Sequence, residues 1–214
     1  MTININVREN ESQGLRFEPL KNGEGEISGI GRCKDADVVI PAKMKRLFSE
    51  YRITSIGYGA FEKRNSILSV DVPSTVRSID AFAFFKCKGL SRVIIPASVT
   101  SIGMEAFMGC SALKDIDLPD SVASIGNRAF KCCGLTSVKI PRSVRSIGDG
   151  VFCYCTELSE VHIPASVTEI RDNAFEACDK LSDVYFDGTR EMWDAISIGK
   201  KNEPIKKAKL HVLP

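Results

Sequence analysis

Residues 95–119 read IPASVTSIGMEAFMGCSALKDIDLP, and the same phrase returns before and after them along the chain. Its isoleucine in S-I-G recurs at Ile56, Ile79, Ile102, Ile125, Ile147 and Ile170, at intervals of 23, 23, 23, 22 and 23. A phenylalanine sits five residues after each: Phe61, Phe84, Phe107, Phe130, Phe152 and Phe175. Alanine or valine precedes each phenylalanine, and prolines keep the period at Pro73, Pro96, Pro119, Pro141 and Pro164. Self-similarity at a fixed period of this length is the signature of a solenoid.

Within each unit, pairs such as Val70 and Val72, Val93 and Ile95, or Val161 and Ile163 alternate with polar residues, which predicts a short strand. Proline ends it, having no N–H to give to a ladder. A second apolar pair, as in Val99 and Ile102, lines the other wall, and glycine after the isoleucine suits a tight bend. The A-F-x-x-C stretch predicts one turn of α or 3₁₀ helix. One such unit cannot bury its own apolar edge. Stacking its neighbours piles valine, isoleucine and phenylalanine into one core and pairs the strands in parallel about 4.8 Å apart.

The unit resembles the BspA-like class of leucine-rich repeat, on the motifs of residues 95–119 and their neighbours, over about Val38 to Phe186. DGTREMWDAISIGKKNEPI, residues 187–205, resembles the terminal segment of such proteins. The resemblance implies a leucine-rich-repeat solenoid, horseshoe-like, of bacterial type and with an adhesion or protein-binding role. The expected organisation is an N-terminal cap over 1–37, about six coils over 38–186 and a C-terminal cap over 187–214. In the N-terminal cap, Ile3, Ile5 and Val7 alternate as a strand, as do Leu15 and Phe17, while Met44 to Glu50 reads as a helix-like insertion. In the C-terminal cap, Thr189 is an N-cap for a helix through Trp193, which plugs the last coil, and Lys209 to Leu213 closes the sheet.

Cys87, Cys110, Cys133, Cys155 and Cys178 each follow a repeat phenylalanine by three residues, which makes them a structural ladder of buried thiols. Cys132 and Cys153 lie on adjacent coils and leave a disulfide open as an alternative; a zinc site would want two C-x₂₋₄-C pairs.

Catalytic chemistry finds little to work with. Histidine occurs only as His162 and His211, and neither a phosphate loop nor a G-x-S-x-G elbow is present. The expectation is a non-enzymatic chain with no cofactor and no metal. With 29 basic and 27 acidic residues, a nucleic-acid partner is not expected. No apolar run is long enough for a membrane span. The opening MTININVREN lacks a signal-like stretch, pointing to a cytoplasmic or signal-trimmed chain, whereas the family resemblance implies the cell surface.

A ligand would meet the solvated strand positions on the concave face, which vary from coil to coil while the apolar columns do not. One column runs Ser69, Arg92, Asp115, Ser137, Glu160, Asp183; the next runs Asp71, Ile94, Asp117, Lys139, His162, Tyr185. The expected ligand is a protein or glycan bound by a monomer, with a structural or self-assembling scaffold as the alternative. The A-F edge, with Tyr58, Phe82, Phe85 and Met104, is a second candidate surface.

Overall fold

The computed structural model describes residues 11–213; the strand expected at Ile3, Ile5 and Val7 lies outside them. The chain winds into a β-solenoid of about 7 turns with few helices. The strand wall is parallel throughout. Asp37–Val39, Ser69–Asp71 and Arg92–Ile94 form one sheet, and Ser137–Lys139, Glu160–Pro164, Asp183–Asp187 and Lys209–Val212 form another. On the opposite wall the S-I pairs form parallel rungs, Ser55–Ile56 on Ser78–Ile79 on Ser101–Ile102 on Ser124–Ile125. A second run joins Ser146–Ile147, Glu169–Ile170 and Ser197–Ile198. Neither ladder is continuous: no strand forms at Asp115–Asp117, and the S-I rungs part between Ile125 and Ile147. Both interruptions flank Cys133-Gly134-Leu135, a turn one residue shorter than Cys110-Ser111-Ala112-Leu113, which accounts for the single 22-residue interval.

The repeat phenylalanines are fully buried, and adjacent rings stack almost parallel, with centroids 5.1 to 5.7 Å apart. Burying one such side chain contributes about 1.5–3 kcal/mol, and dispersion between offset rings adds to it. The expected turn of helix keeps 3₁₀-type bonds without becoming a helix. Phe85 N–H donates to the Phe82 carbonyl and Cys87 N–H to Phe84, while the alternate groups reach across: Phe84 N–H donates to Ala106 and Lys86 N–H to Met108. Turning the alternate N–H groups outward requires left-handed residues, here Phe82 (φ 60°) and Lys86 (φ 55°). Each costs about 1 kcal/mol, and bonds to the next coil offset it.

The consensus serine has a purpose that its sequence position alone does not reveal. Ser98 Oγ donates to the Val76 carbonyl (2.6 Å), Ser121 to Val99 (2.7 Å) and Ser166 to Val144 (2.8 Å), stitching each coil to the one before. The cysteine column acts likewise. Cys87 Sγ–H donates to the Phe61 carbonyl at 2.8 Å, and Cys110, Cys133, Cys155 and Cys178 repeat the contact at 3.1 to 3.2 Å. All eight cysteines are free thiols, Cys132 and Cys153 included.

At the N-terminal end the insertion is a β-hairpin, not helix-like. Lys43–Arg46 pairs antiparallel with Ser49–Ile56, because alternating Met44, Tyr51 and Ile53 give one face of the ribbon something to cover. Glu24–Gly29 supplies Ile27 to the isoleucine column opposite Ile56, and Arg16–Pro19 covers its outer edge antiparallel. At the other end Thr189 Oγ1 accepts the Met192 N–H and caps the helix Arg190–Asp194. Trp193 meets Phe186 edge-on at 5.4 Å, closing the last coil. A further helix, Glu203–Lys207, plugs the end with Ile205.

Candidate functional site

The strand wall places the two variable columns in strict register. Ser69 pairs with Arg92 and Asp71 with Ile94; Ser137, Glu160 and Asp183 align, as do Lys139, His162 and Tyr185. All of these side chains reach solvent: Arg92, Ile94, Asp115, Asp117 and Lys139 are exposed, and Asp71, Glu160, His162, Asp183 and Tyr185 are half-buried. The columns are nonetheless divided. Asp115 and Asp117 stand on irregular chain between the sheets, so Asp71, Arg92 and Ile94 belong to one patch and the residues from Lys139 onward to another.

The second patch gains a residue that the sequence reading omitted. Strand Lys209–Val212 pairs with Asp183–Asp187 so that His211 lies beside Tyr185. His162, Tyr185 and His211 form a continuous ring stack, with centroids 4.5 and 4.6 Å apart and planes within 12 and 13° of parallel. Aligning Leu210 with Val184 would have placed His211 in the column; the 26-residue spacing, outside the 22–23 rhythm, obscured it.

Carboxylates from the neighbouring column flank the stack. His211 Nε2 lies 2.7 Å from Asp183 Oδ1, and His162 Nε2 lies 4.0 Å from Glu160 Oε1. The bond from His211, with a second from Ser182, holds the Asp183 carboxyl below its ordinary pKa. Lys139 and Lys209 extend the two columns on either side. Each ring face inside the stack is covered by its neighbour, so edges carrying imidazole nitrogens and the phenol oxygen are what a ligand can address. A shallow hollow lined by Arg142, Pro164, Asp187 and Leu213 opens at the proline end of the same strands.

The thiols are placed for structure. Burial pushes Cys87 and Cys153 up to about 11 and Cys178 up to about 12, and raises Cys110, Cys133 and Cys155 as well. Thiolate is the nucleophilic and metal-binding form, and burial suppresses it. Among the described residues no three His, Cys, Asp or Glu side chains converge as a metal site would require, and no helix is long and apolar enough to cross a membrane. On the A-F edge, Tyr58, Phe82 and Phe85 form a contiguous cluster with centroids 5.3 and 5.5 Å apart, beside exposed Met104.

Comparison with known proteins agrees with this architecture. The family model for the BspA-type leucine-rich repeat region matches in six copies, over residues 42–157 and 81–194. A leucine-rich cell surface protein from Faecalibacterium prausnitzii is 31% identical, with a TM-score of 0.81 over 94% of this chain and 53% of its own. A leucine-rich repeat protein from T. pallidum is 28% identical, with a TM-score of 0.78 over 90% of this chain and 86% of its own. One from Bacteroides ovatus is 30% identical, with a TM-score of 0.67 over 82% of this chain and 54% of its own. The chain thus spans about half the length of the Faecalibacterium and Bacteroides proteins. No curated relative matches it in sequence. The chain belongs to the BspA-type leucine-rich repeat family.

Proposed function

We propose that the chain is a non-catalytic, adhesin-like recognition module that holds a protein or glycan ligand against its strand wall, centred on the patch around Tyr185. The observation that carries this reading is the stack His162–Tyr185–His211 flanked by Glu160 and Asp183. Core packing needs nothing of these outward positions, yet they gather rings, acids and Lys139 in one place. Ring edges and carboxylates offer both donors and acceptors, a mixture suited to sugar hydroxyls or to peptide backbone and side-chain amides. Asp71, Arg92 and Ile94, with Asp115 and Asp117 beyond them, form a secondary contact zone for a ligand long enough to follow the solenoid. The cell-surface description of the Faecalibacterium relative favours an exposed setting for such a module.

The test is a binding screen of the purified chain against immobilised glycans and extracellular-matrix proteins, repeated with Tyr185→Ala and with Asp117→Lys plus Lys139→Glu. The hit should be lost in the variants while circular dichroism is unchanged. Full retention of affinity by all of them would remove the strand wall as the binding face.

A further inference from the structure

The hairpin at the N-terminal end carries a feature that the fold does not explain. Its strands Lys43–Arg46 and Ser49–Ile56 pair down to Arg46 opposite Ser49, leaving a two-residue loop of Leu47 and Phe48. Strand Glu24–Gly29 pairs with the ribbon only from Arg52 onward, so the rungs nearer the tip have no ladder partner on that strand. Leu47 is 90% and Phe48 104% exposed, the two most exposed large apolar side chains among the described residues. A two-residue hairpin loop strongly prefers Asn-Gly or a similar pair because it needs left-handed backbone. Here Leu47 takes φ 55° instead. The chain therefore departs from turn chemistry and from solvent preference at the same two positions, a conflict characteristic of functional sites.

The charge around the tip selects its partner. Lys43, Lys45, Arg46 and Arg52 project from the ribbon and are exposed, against Glu50 on the same ribbon, Glu18 beside it and Glu24 opposite Arg52, the last held by Arg77 at 3.1 Å. Glu50 is held by Lys43 at 2.8 Å and Glu18 approaches Arg46 at 3.8 Å, which leaves Lys45 and Arg52 without a salt-bridge partner among the described residues. The aromatic cluster around the half-buried Phe82 and Phe85 carries Lys86 over the Phe85 ring, so a second copy docking its basic tip there would set like charges together. Two side chains at a protruding tip are also too little area for a stable protein interface, which needs roughly 1,000 Å² or more. They suit the boundary of a bilayer, where apolar tips enter the acyl region while basic residues meet headgroups.

We infer that the Leu47–Phe48 hairpin is a docking wedge for an anionic lipid surface. Leucine and phenylalanine enter the interface, and Lys45, Arg46 and Arg52 contact the lipid phosphates and carboxylates.

The experiment is co-sedimentation of the purified chain with phosphatidylcholine vesicles with and without phosphatidylserine, together with light scattering of the chain alone. Binding should require phosphatidylserine and fall as salt rises, since exposed charges are screened within about 10 Å at 0.1 M salt. Leu47→Ser with Phe48→Ser should abolish it, and Lys45→Glu with Arg46→Glu should weaken it about tenfold or more. These side chains lie outside the core, so unchanged thermal melting certifies the variants. No sedimentation of the parent chain with phosphatidylserine vesicles overturns the inference, as does sedimentation that the tip variant leaves intact. So does a dimer of the free chain that the tip variant dissolves, which would make a second copy the occupant.

Discussion

The Asn202 side-chain oxygen accepts the Phe175 N–H at 2.9 Å, standing where the next coil's carbonyl would be if the solenoid continued. In the preceding coils that carbonyl is main chain: Ala174 receives Phe152, and Val151 receives Phe130. The Asn202 amide donates in turn to the carbonyls of Arg171 (2.8 Å), Gly199 (3.1 Å) and Lys200 (3.4 Å), and the residue is fully buried. One side chain thus satisfies the open rung at which the repeat ends. Asn202→Ala leaves several buried backbone groups unpaired at about 1–3 kcal/mol each, so a loss of about 2–4 kcal/mol in chemical denaturation is expected. Asn202→Asp should be no better, because it keeps the acceptor for Phe175 but turns a carboxylate oxygen toward three carbonyls.

The glycines of the repeat divide into two kinds. At Gly103 a Cβ would fall 2.4 Å from the Ala81 nitrogen, inside the backbone of the preceding coil, whereas at Gly59 the backbone is left-handed (φ 61°) and the nearest atom is 3.6 Å away. At Gly103 and Gly126 the S-I-G glycine therefore serves the close approach of coils, not the positive φ of a turn. Gly103→Ala must push two coils apart and should cost about 2–4 kcal/mol, beyond ordinary overpacking, because the obstacle is main chain. Gly59→Ala meets only the left-handed penalty of about 1 kcal/mol, which Phe82 already bears in the neighbouring coil. Equal losses in paired thermal melts would refute the distinction.

Thr75 occupies the serine column at the first coil, yet its hydroxyl is buried with no partner, since the chain before it is the hairpin strand and not a standard repeat. Ser98, one coil on, donates at 2.6 Å. Opposite responses to removing the hydroxyl are expected. Thr75→Val should be neutral or stabilising by up to about 1 kcal/mol, and Ser98→Ala destabilising by about 1 kcal/mol. Denaturation midpoints of the two variants decide it.

The repeat was legible because stacking forces one residue type on every coil: the Ile56 to Ile170 column, the phenylalanines and the cysteines each occupy a slot that only like neighbours fill. What escaped is what stacking does not dictate. Ser197-Ile198-Gly199 continues the isoleucine column, but at 28 residues from Ile170 it falls outside the period. The hairpin at Lys43–Ile56 owes its strands to a partner ribbon, and Leu47-Phe48 lacks the turn residues that would have announced it. Candidate site residues were found as columns, since alternation places Lys139, His162 and Tyr185 on one face. Their division into two patches depends on the break at Asp115–Asp117, and the inclusion of His211 on the register of the last strand; both are tertiary outcomes.

Thiol reactivity offers a direct check on the packing of the coils. Six of the eight cysteines are buried, and only Cys33 and Cys132 are half-buried. Burial raises the pKa of every buried thiol, to about 11 at Cys87 and Cys153 and about 12 at Cys178. At pH 8 those groups hold on the order of one thiolate per thousand or fewer, and access is closed as well. With a chromogenic disulfide reagent, two thiols of the native chain, Cys33 and Cys132, should react first, with the remaining six released only in denaturant. Cys132→Ser should remove one equivalent from the fast phase and leave the slow phase at six. Rapid reaction of all eight in native buffer would mean that the coils open on the timescale of the assay, because the five ladder S–H to carbonyl contacts must break before those sulfurs can be attacked.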